Sequence, residues 1–344
     1  MIKYLKDILI QYFSVQLRHI NCTELQSYSL FKSYHIKVAG QEYILQKLNT
    51  DYFFDVTISI QLFQNNFQHL NKNNFNYALP KIVKNKLGHQ LTMYKDEVWC
   101  LTEILPELTT LQTVQNTKQA QQIGKALAQF HYVSQNFEVE PYTKTLPQVF
   151  YTEHIIADFE FALQITEDAN IEEAHDVIIY LQDRLPVILQ TDAIAKVQFP
   201  KKLIHGQATL QSFMFNPQDE VALLTNWHKS TTGSILYDYT LMLKSVSALQ
   251  ALDCTLTEIP LFSTEFALAA HQAYMSEIKN VLTPIELEHL ESYYKMIILL
   301  ESMQYVTQFL LGNKKIKALY YTQNLKKATN QILLHQLLSD QVYS

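Results

Sequence analysis

Apolar residues in the first hundred positions recur mainly with the two-residue spacing of strands, bounded by Asn, Gly and Asp turns. Strands are predicted over residues 27–38, 43–48, 79–83, 90–94 and 98–104. Helical spacing is confined there to residues 3–20 and 55–70, and the second helix has its buried stripe at Ile58, Leu62, Phe63, Phe67 and Leu70. The N-terminal part therefore reads as a small β-rich unit with accompanying helices.

Beyond residue 105 the spacing becomes helical. Helices are predicted over residues 117–137, 151–165, 171–189, 235–252, 262–279, 284–309 and 318–338. Thr283 is a strong helix start, because Pro284 follows it and Glu286 stands three positions later. Pro106 and Glu107 break the pattern and indicate a hinge. We expect an α+β protein with an N-terminal unit at 1–105 and a helical unit at 106–344.

One pair of short strands interrupts the helices, at residues 212–215 and 221–225. The turn between them, residues 216–219, is Asn-Pro-Gln-Asp, a composition that favours tight turns. His-Gly-Gln at 205–207 precedes this hairpin, and a polar loop at 227–233 follows it. A hairpin flanked by two loops places the loop ends side by side, a common way to build a site on a rigid scaffold.

Composition limits the class of protein. The chain has 344 residues, of which 48% are hydrophobic and 17% charged, so it can build real cores. A net charge of −6 argues against general binding to nucleic acid or to anionic membranes. Cys22, Cys100 and Cys254 have neither metal-site nor disulfide spacing. With no signal peptide and no apolar run of 18 residues, a cytoplasmic location is expected.

The loops and the hairpin also carry a resemblance to a known family. Residues 205–215 read H-G-Q-A-T-L-Q-S-F-M-F, and residues 232–238 read T-G-S-I-L-Y-D. They resemble the aminoglycoside phosphotransferase-like kinases, most closely the N-acetylhexosamine kinase branch, where the motifs run roughly H-N-D-T-K-L-N-N-V-L-F and I-D-L-D-T-V-M-P-G-S-L-L-Y-D. Residues 43–50, Y-I-L-Q-K-L-N-T, resemble Y-I-L-Q-R-I-N-T of that branch. The resemblance covers roughly residues 25–325 and implies a two-lobed, protein-kinase-like fold with a catalytic loop at 203–238.

The same motifs lack the family's reactive side chains. The resemblance places the catalytic Asp at Gln207 and the two metal ligands at Ser212 and Asn226, while the second Asp of the later motif is His228. Gln cannot accept a proton. Hard cations such as Mg²⁺ prefer carboxylates, which neither Ser212 nor Asn226 provides. The positions that would perform phosphoryl transfer are therefore all altered.

The predicted nucleotide-binding positions are altered as well. The glycine of the phosphate-covering hairpin corresponds to Ser29, with Phe31 beside it, in a chain with only six glycines. Lys47 is the one candidate for the phosphate-binding cation, although a strand residue there can equally face solvent. Its expected Glu partner on the following helix corresponds to Gln61.

Three functions remain open from the sequence. The first is a pseudokinase that acts through protein contacts, for example with an active kinase homologue, and needs no cofactor. The second is an active sugar or small-alcohol kinase that uses ATP and Mg²⁺, with His228 or Asp238 as base or metal ligand. The third is a sugar-binding protein whose pocket is lined by Glu103, His205, His228 and Asp238. No nucleic-acid or membrane partner is expected.

Overall fold

The computed structural model describes most of the chain, with gaps at loops and termini. The described residues are 3–14, 20–25, 33–48, 56–105, 107–142, 152–249, 262–313, 316, 318 and 320–339, without the side chains of 56–60, 228, 338 and 339. None of the helices in these ranges is both long and apolar enough to cross a membrane.

Five antiparallel strands form the N-terminal sheet. They are β1 (Ile20–Leu25), β2 (Ser33–Val38), β3 (Gln41–Leu48), β4 (Leu91–Tyr94) and β5 (Glu97–Glu103), in the spatial order β1-β2-β3-β5-β4. On one face of the sheet Tyr34, Leu45 and Trp99 are buried together with Leu5 and Leu9 of α1 (Lys3–Leu9). Alternate strand residues point to opposite faces, so this apolar set fixes the register.

The helical part of the protein packs around a second and larger core. After α2 (Val56–Lys72), its helices are α3 (Thr117–Ser134), α4 (Thr152–Ile165), α5 (Asp168–Glu173), α6 (His175–Gln182), α7 (Leu185–Gln198), α8 (Ile235–Ser247), α9 (Thr264–Ile278), α10 (Pro284–Glu288), α11 (Leu290–Leu310) and α12 (Gln323–Ser339). Leu62 and Leu70 of α2 also belong to this core, so α2, although it follows β3 in sequence, packs with the helical region. The predicted two-lobed α+β fold is confirmed, while the exact boundary at residue 105 stays a prediction.

Short strands within the helical region carry the predicted loops. β8 (Phe213–Phe215) and β9 (Val221–Leu224) form the expected hairpin, and β6 (Thr109–Thr110) pairs with β8. The Asn216 side chain accepts hydrogen bonds from the backbone N–H groups of Gln218 and Glu220, which closes the turn. β7 (Lys202–Ile204) pairs with β10 (Thr231–Gly233), so the loops after β7 and before β10 lie together.

Several element predictions need correction. Residues 79–83 form only an isolated bridge from Ile82 to Thr102, because Pro80 has no N–H group to donate to a ladder. The first helix ends at Leu9 rather than residue 20, and β1 was not predicted. Residues 171–189 are three helices instead of one, because Pro186 fits the first turn of α7 and not a helix interior. A break at His289 likewise separates α10 from α11.

The close approach of α3 and α9 depends on a glycine. A Cβ atom at Gly124 of α3 would lie 2.3 Å from the backbone oxygen of Ala270 on α9, well inside van der Waals contact. The helices can therefore meet here only because α3 has no side chain at this position.

Gly124→Ala is expected to destabilise the fold although alanine favours helix by about 1 kcal/mol. The backbone of Ala270 cannot move aside easily, and overpacking of this kind costs about 1–3 kcal/mol. Urea unfolding midpoints would measure the change, with the neighbouring exposed position Lys125→Ala as the control. A variant Gly124→Ala more stable than the parent would show that α3 and α9 are not in contact there.

Candidate functional site

A buried carboxylate, Asp238 on α8, organises the loop after β7. Its Oδ2 accepts the backbone N–H of His205 at 2.6 Å, and its Oδ1 accepts that of Gly206 at 2.8 Å. The ring Nε2 of His131 on α3 also contacts Oδ2, at 3.1 Å. Asp238 is completely buried, and three donors compensate the cost of burying its charge. These contacts make Asp238 an anchor for the loop.

His131 and His205 are both fully engaged. His131 Nδ1 lies 2.9 Å from the hydroxyl of Tyr274, so the ring bridges Tyr274 and Asp238. His205 Nε2 donates to the carbonyl of Thr225 at 2.8 Å, and its Nδ1 accepts the N–H of Gln207 at 3.3 Å. This arrangement fits a neutral His205 ring. Burial is the main cause that lowers the pKa of His205, against the opposing effect of Asp238.

Gly206 allows the two loops to meet. Its φ is +73°, and a Cβ atom there would lie 2.1 Å from the carbonyl oxygen of Lys229. Any other residue would be strained and would collide with backbone. The loop after β7 therefore lies directly against the turn at Trp227–Lys229.

The three positions to which the resemblance assigns catalytic and metal-binding roles are linked by hydrogen bonds. The Ser212 hydroxyl donates to the carbonyl of Gln207 at 2.6 Å and accepts from Nδ2 of Asn226 at 3.1 Å. Asn226 has a left-handed backbone (φ 63°), which Asn tolerates better than most residues. Oε1 of Gln207 is buried and has no hydrogen-bond partner among the described residues. The structure thus brings together Gln207, Ser212 and Asn226 around His205 and Asp238.

This donor set does not fit a magnesium ion. Mg²⁺ is usually held by carboxylates and phosphate oxygens in octahedral geometry. Ser212 and Asn226 are neutral and hydrogen-bonded to each other. The nearby carboxylate of Asp238 already accepts three donors. Across the described residues, no group of three His, Cys, Asp or Glu side chains is placed to hold a metal.

The predicted nucleotide-binding cation has a different partner. Lys47 Nζ lies 2.6 Å from Oε1 of Glu97 on the neighbouring strand β5, and Lys47 is paired across the sheet with Trp99. Lys47 therefore shares the sheet face that α1 covers. Gln61 on α2 is exposed, and no hydrogen bond joins it to Lys47 among the described atoms. The structure does not bring these two residues together.

The remaining predicted site residues lie apart or outside the described part. Glu103 ends β5 and forms an ion pair with Lys81 at 2.7 Å. Ser29 and Phe31 lie outside the described residues, and His228 is described only as backbone in the turn before β10. Their assignment to a phosphate-covering loop and a pocket stays a prediction.

Two grooves border α2, and neither is lined by a predicted site residue. One, of about 660 Å³, lies between α2 and residues 84–93. The other, of about 380 Å³, lies between α2 and residues 136–142.

The sequence reasoning did not single out Lys229. Burial lowers the pKa of its ammonium group to about 8, and its carbonyl lies against Gly206. Perturbed lysines often mark functional sites. The sequence offered one signal, since Lys229 is the only lysine of the polar loop at 227–233. Its burial could not be predicted, because that depends on the contact between two loops that are 23 positions apart in sequence.

Comparison with known proteins agrees with this architecture. Residues 21–270 match the model of the phosphotransferase enzyme family, and the chain belongs to that family.

Solved kinase structures share the fold over almost the whole chain. A microcompartment-associated aminopropanol kinase superposes with a TM-score of 0.68 at 14% identity and covers 99% of both chains. An amicoumacin kinase in complex with AMP-PNP, Ca²⁺ and Ami gives 0.65 at 12% identity, covering 98% of this chain and 93% of its own. An aminoglycoside phosphotransferase from Alicyclobacillus acidocaldarius gives 0.61 at 11% identity, covering 96% and 93%. At such identities the likeness concerns the fold.

The lowered pKa of His205 makes stability depend on pH. The unfolded chain protonates its histidines near pH 6.5, whereas the native state keeps His205 neutral, so the unfolded state binds more protons below that pH. Stability is therefore complete above about pH 6.5 and decreases as the pH falls, by at most about 1.4 kcal/mol per pH unit for this group. His205→Gln should reduce the drop in urea midpoint between pH 7.5 and 5.5.

His271 and His335 also have pKa values lowered mainly by burial, so part of the pH dependence should remain in this variant. The exposed position His175→Gln is the control and should leave the slope unchanged. Equal slopes for the parent and His205→Gln would contradict a neutral buried ring.

Proposed function

We propose that this member of the phosphotransferase family is a pseudokinase, which has lost metal-dependent phosphoryl transfer and acts through contacts with other proteins. An active kinase homologue is the kind of partner we favour. In its motifs the chain most resembles the N-acetylhexosamine kinase branch, so we take loss from a hexosamine-kinase-like ancestor as the origin of these loops.

The observation that carries this proposal is the hydrogen bond between Ser212 and Asn226. The two positions that correspond to metal ligands bind each other, and Gln207 stands where a carboxylate would accept a proton. Catalysis of phosphoryl transfer rests on positioning and on charge neutralisation by metal ions. Ser212 and Asn226, which are neutral and bonded to each other, offer neither.

The sheet supports the same reading. Lys47 forms an ion pair with Glu97, and both side chains are about one-third exposed. In protein kinases the lysine that binds the phosphates is held by a Glu of the following helix, whereas Lys47 is held by Glu97 of β5 on the sheet face that α1 covers. The kinases named above bind or transfer phosphate with their own residues. At 14% identity or less, the roles of those residues cannot be assigned to this chain from structural position alone.

The first test is binding of Mg·ATP. A ligand that binds only the native state raises stability by about 2.7 kcal/mol at a hundred times its Kd. Because Ser212 and Asn226 are neutral and Lys47 is paired, we expect no change in melting temperature with millimolar Mg·ATP.

MgCl₂ alone and ATP alone serve as controls for ionic effects. A rise in melting temperature that requires both components would contradict the loss of the nucleotide site and favour an active sugar or small-alcohol kinase.

The second test restores the family residues. Gln207→Asp, Ser212→Asn and Asn226→Asp together would return one base and two metal ligands. We expect no ATP-dependent phosphorylation of N-acetylglucosamine or N-acetylgalactosamine, because catalytic groups that act as a unit return little when only some are repaired. Lys47 would remain bound to Glu97, and the new carboxylates would repel each other without a metal.

The unmodified chain is the matched control in this assay. Robust turnover by the triple variant alone would show that the loss is confined to these loops. Turnover by the unmodified chain would overturn the pseudokinase proposal itself.

A further inference from the structure

One segment of the chain carries its entire excess of negative charge. Residues 152–183 contain nine of the 33 Asp and Glu residues and none of the 27 Lys and Arg residues. The rest of the chain, with 24 acidic residues (33 less nine) against 27 basic ones, has a slight positive balance. The net charge of −6 is therefore a local property of α4, α5 and α6 and not of the whole molecule.

The acidic side chains of this segment point into solvent. Glu160 on α4 is exposed, as are Glu167 and Asp168 at the start of α5. Among the described residues these three have no ion-pair partner, in contrast to Glu153, which is bound by Lys196. Several like charges on successive helices create a negative potential that would attract a cationic partner.

The same helix also exposes large apolar side chains. Phe161 and Ile165 are 55% and 57% exposed. Because they lie one turn apart on α4, their side chains form a continuous patch. The opposite face of α4 is buried through Ile155, Phe159 and Ala162. α4 is thus apolar on two faces, and only one of them is covered by the described parts of this chain.

The apolar patch lies inside the acidic segment. Asp158 precedes Phe161 by three positions, which places the two side chains next to each other on the helix surface. Glu167 and Asp168 lie two and three positions after Ile165, at the start of α5. An apolar centre with a charged rim is the usual anatomy of a protein-binding surface.

We propose that the surface formed by Phe161, Ile165 and the surrounding acidic residues of α4 and α5 binds an amphipathic helical segment of a partner protein, in which Lys or Arg residues flank apolar side chains. Charge complementarity selects such a partner, because a basic rim would meet Asp158, Glu160, Glu167 and Asp168 while apolar side chains cover Phe161 and Ile165. α4 has 14 residues, a length of about 21 Å, which matches some four turns of a partner helix.

This surface uses no residue of the loops around Asp238. It can therefore exist whether or not the protein transfers phosphate, and the two proposals can fail separately.

The probe is a fluorescein-labelled helical peptide of 18 Leu and Lys residues with Leu along one face, measured by fluorescence anisotropy with the full chain. We expect saturable binding that weakens with added NaCl. The double variant Phe161→Ser/Ile165→Ser should weaken binding at least about tenfold without changing the charge. Val197→Ser, at a position 83% exposed on α7, is the matched apolar control and should bind as the parent does.

Two variants with the same charge change complete the experiment. Glu160→Lys should weaken binding more than Glu288→Lys, an equal charge change at an exposed position on α10. Melting temperatures establish that each variant is folded, which is expected because every changed side chain is exposed. Absence of binding to the parent, or equal loss of affinity in variants and controls, would overturn the proposal and reduce the interaction to general charge attraction.

Discussion

The buried carboxylate of Asp238 is the contact on which the arrangement of the loops depends. An uncompensated charge in the interior would cost several kcal/mol, so its three donors must be held in place together. Those donors come from the backbone of His205 and Gly206 and from the ring of His131. One side chain therefore joins α8, the loop after β7 and α3. The positions of Gln207, Ser212 and Asn226 follow from that junction.

The loops around Asp238 have a demanding backbone geometry. Gly206 has a positive φ and leaves room for the carbonyl of Lys229, and Asn226 adopts the left-handed conformation. The path of the backbone requires these features, and they do not depend on which side chains take part in a reaction. Exchanging Asp for Asn at position 226 removes a charge but suits the same backbone conformation. The fold would therefore survive the loss of metal ligands that we propose.

Local signals in the sequence predicted local structure well. The Asn216 turn and the Thr283 capping box could both be predicted from the sequence, because each depends on side chains that bond to the backbone within four residues. The predicted meeting of the loop ends agrees with the bonds of Ser212 to Gln207 and Asn226. Contacts between segments that are distant in sequence could not be predicted from these local signals. The Lys47–Glu97 pair depends on sheet register, and the burial of Lys229 depends on the meeting of two loops.

Acidic residues are few in the loops around Asp238 and numerous on α4, α5 and α6. Between β7 and the start of α8 the only acidic residues are Asp219 and Glu220, which belong to the hairpin turn. A metal-dependent kinase concentrates negative side chains in these loops, because they neutralise the cation that holds the nucleotide. Here the excess of acidic residues lies on α4, α5 and α6, where exposed carboxylates cost little and act at a distance. Both proposals, the loss of chemistry at the loops and the recognition of a partner at α4 and α5, rest on this distribution of charge.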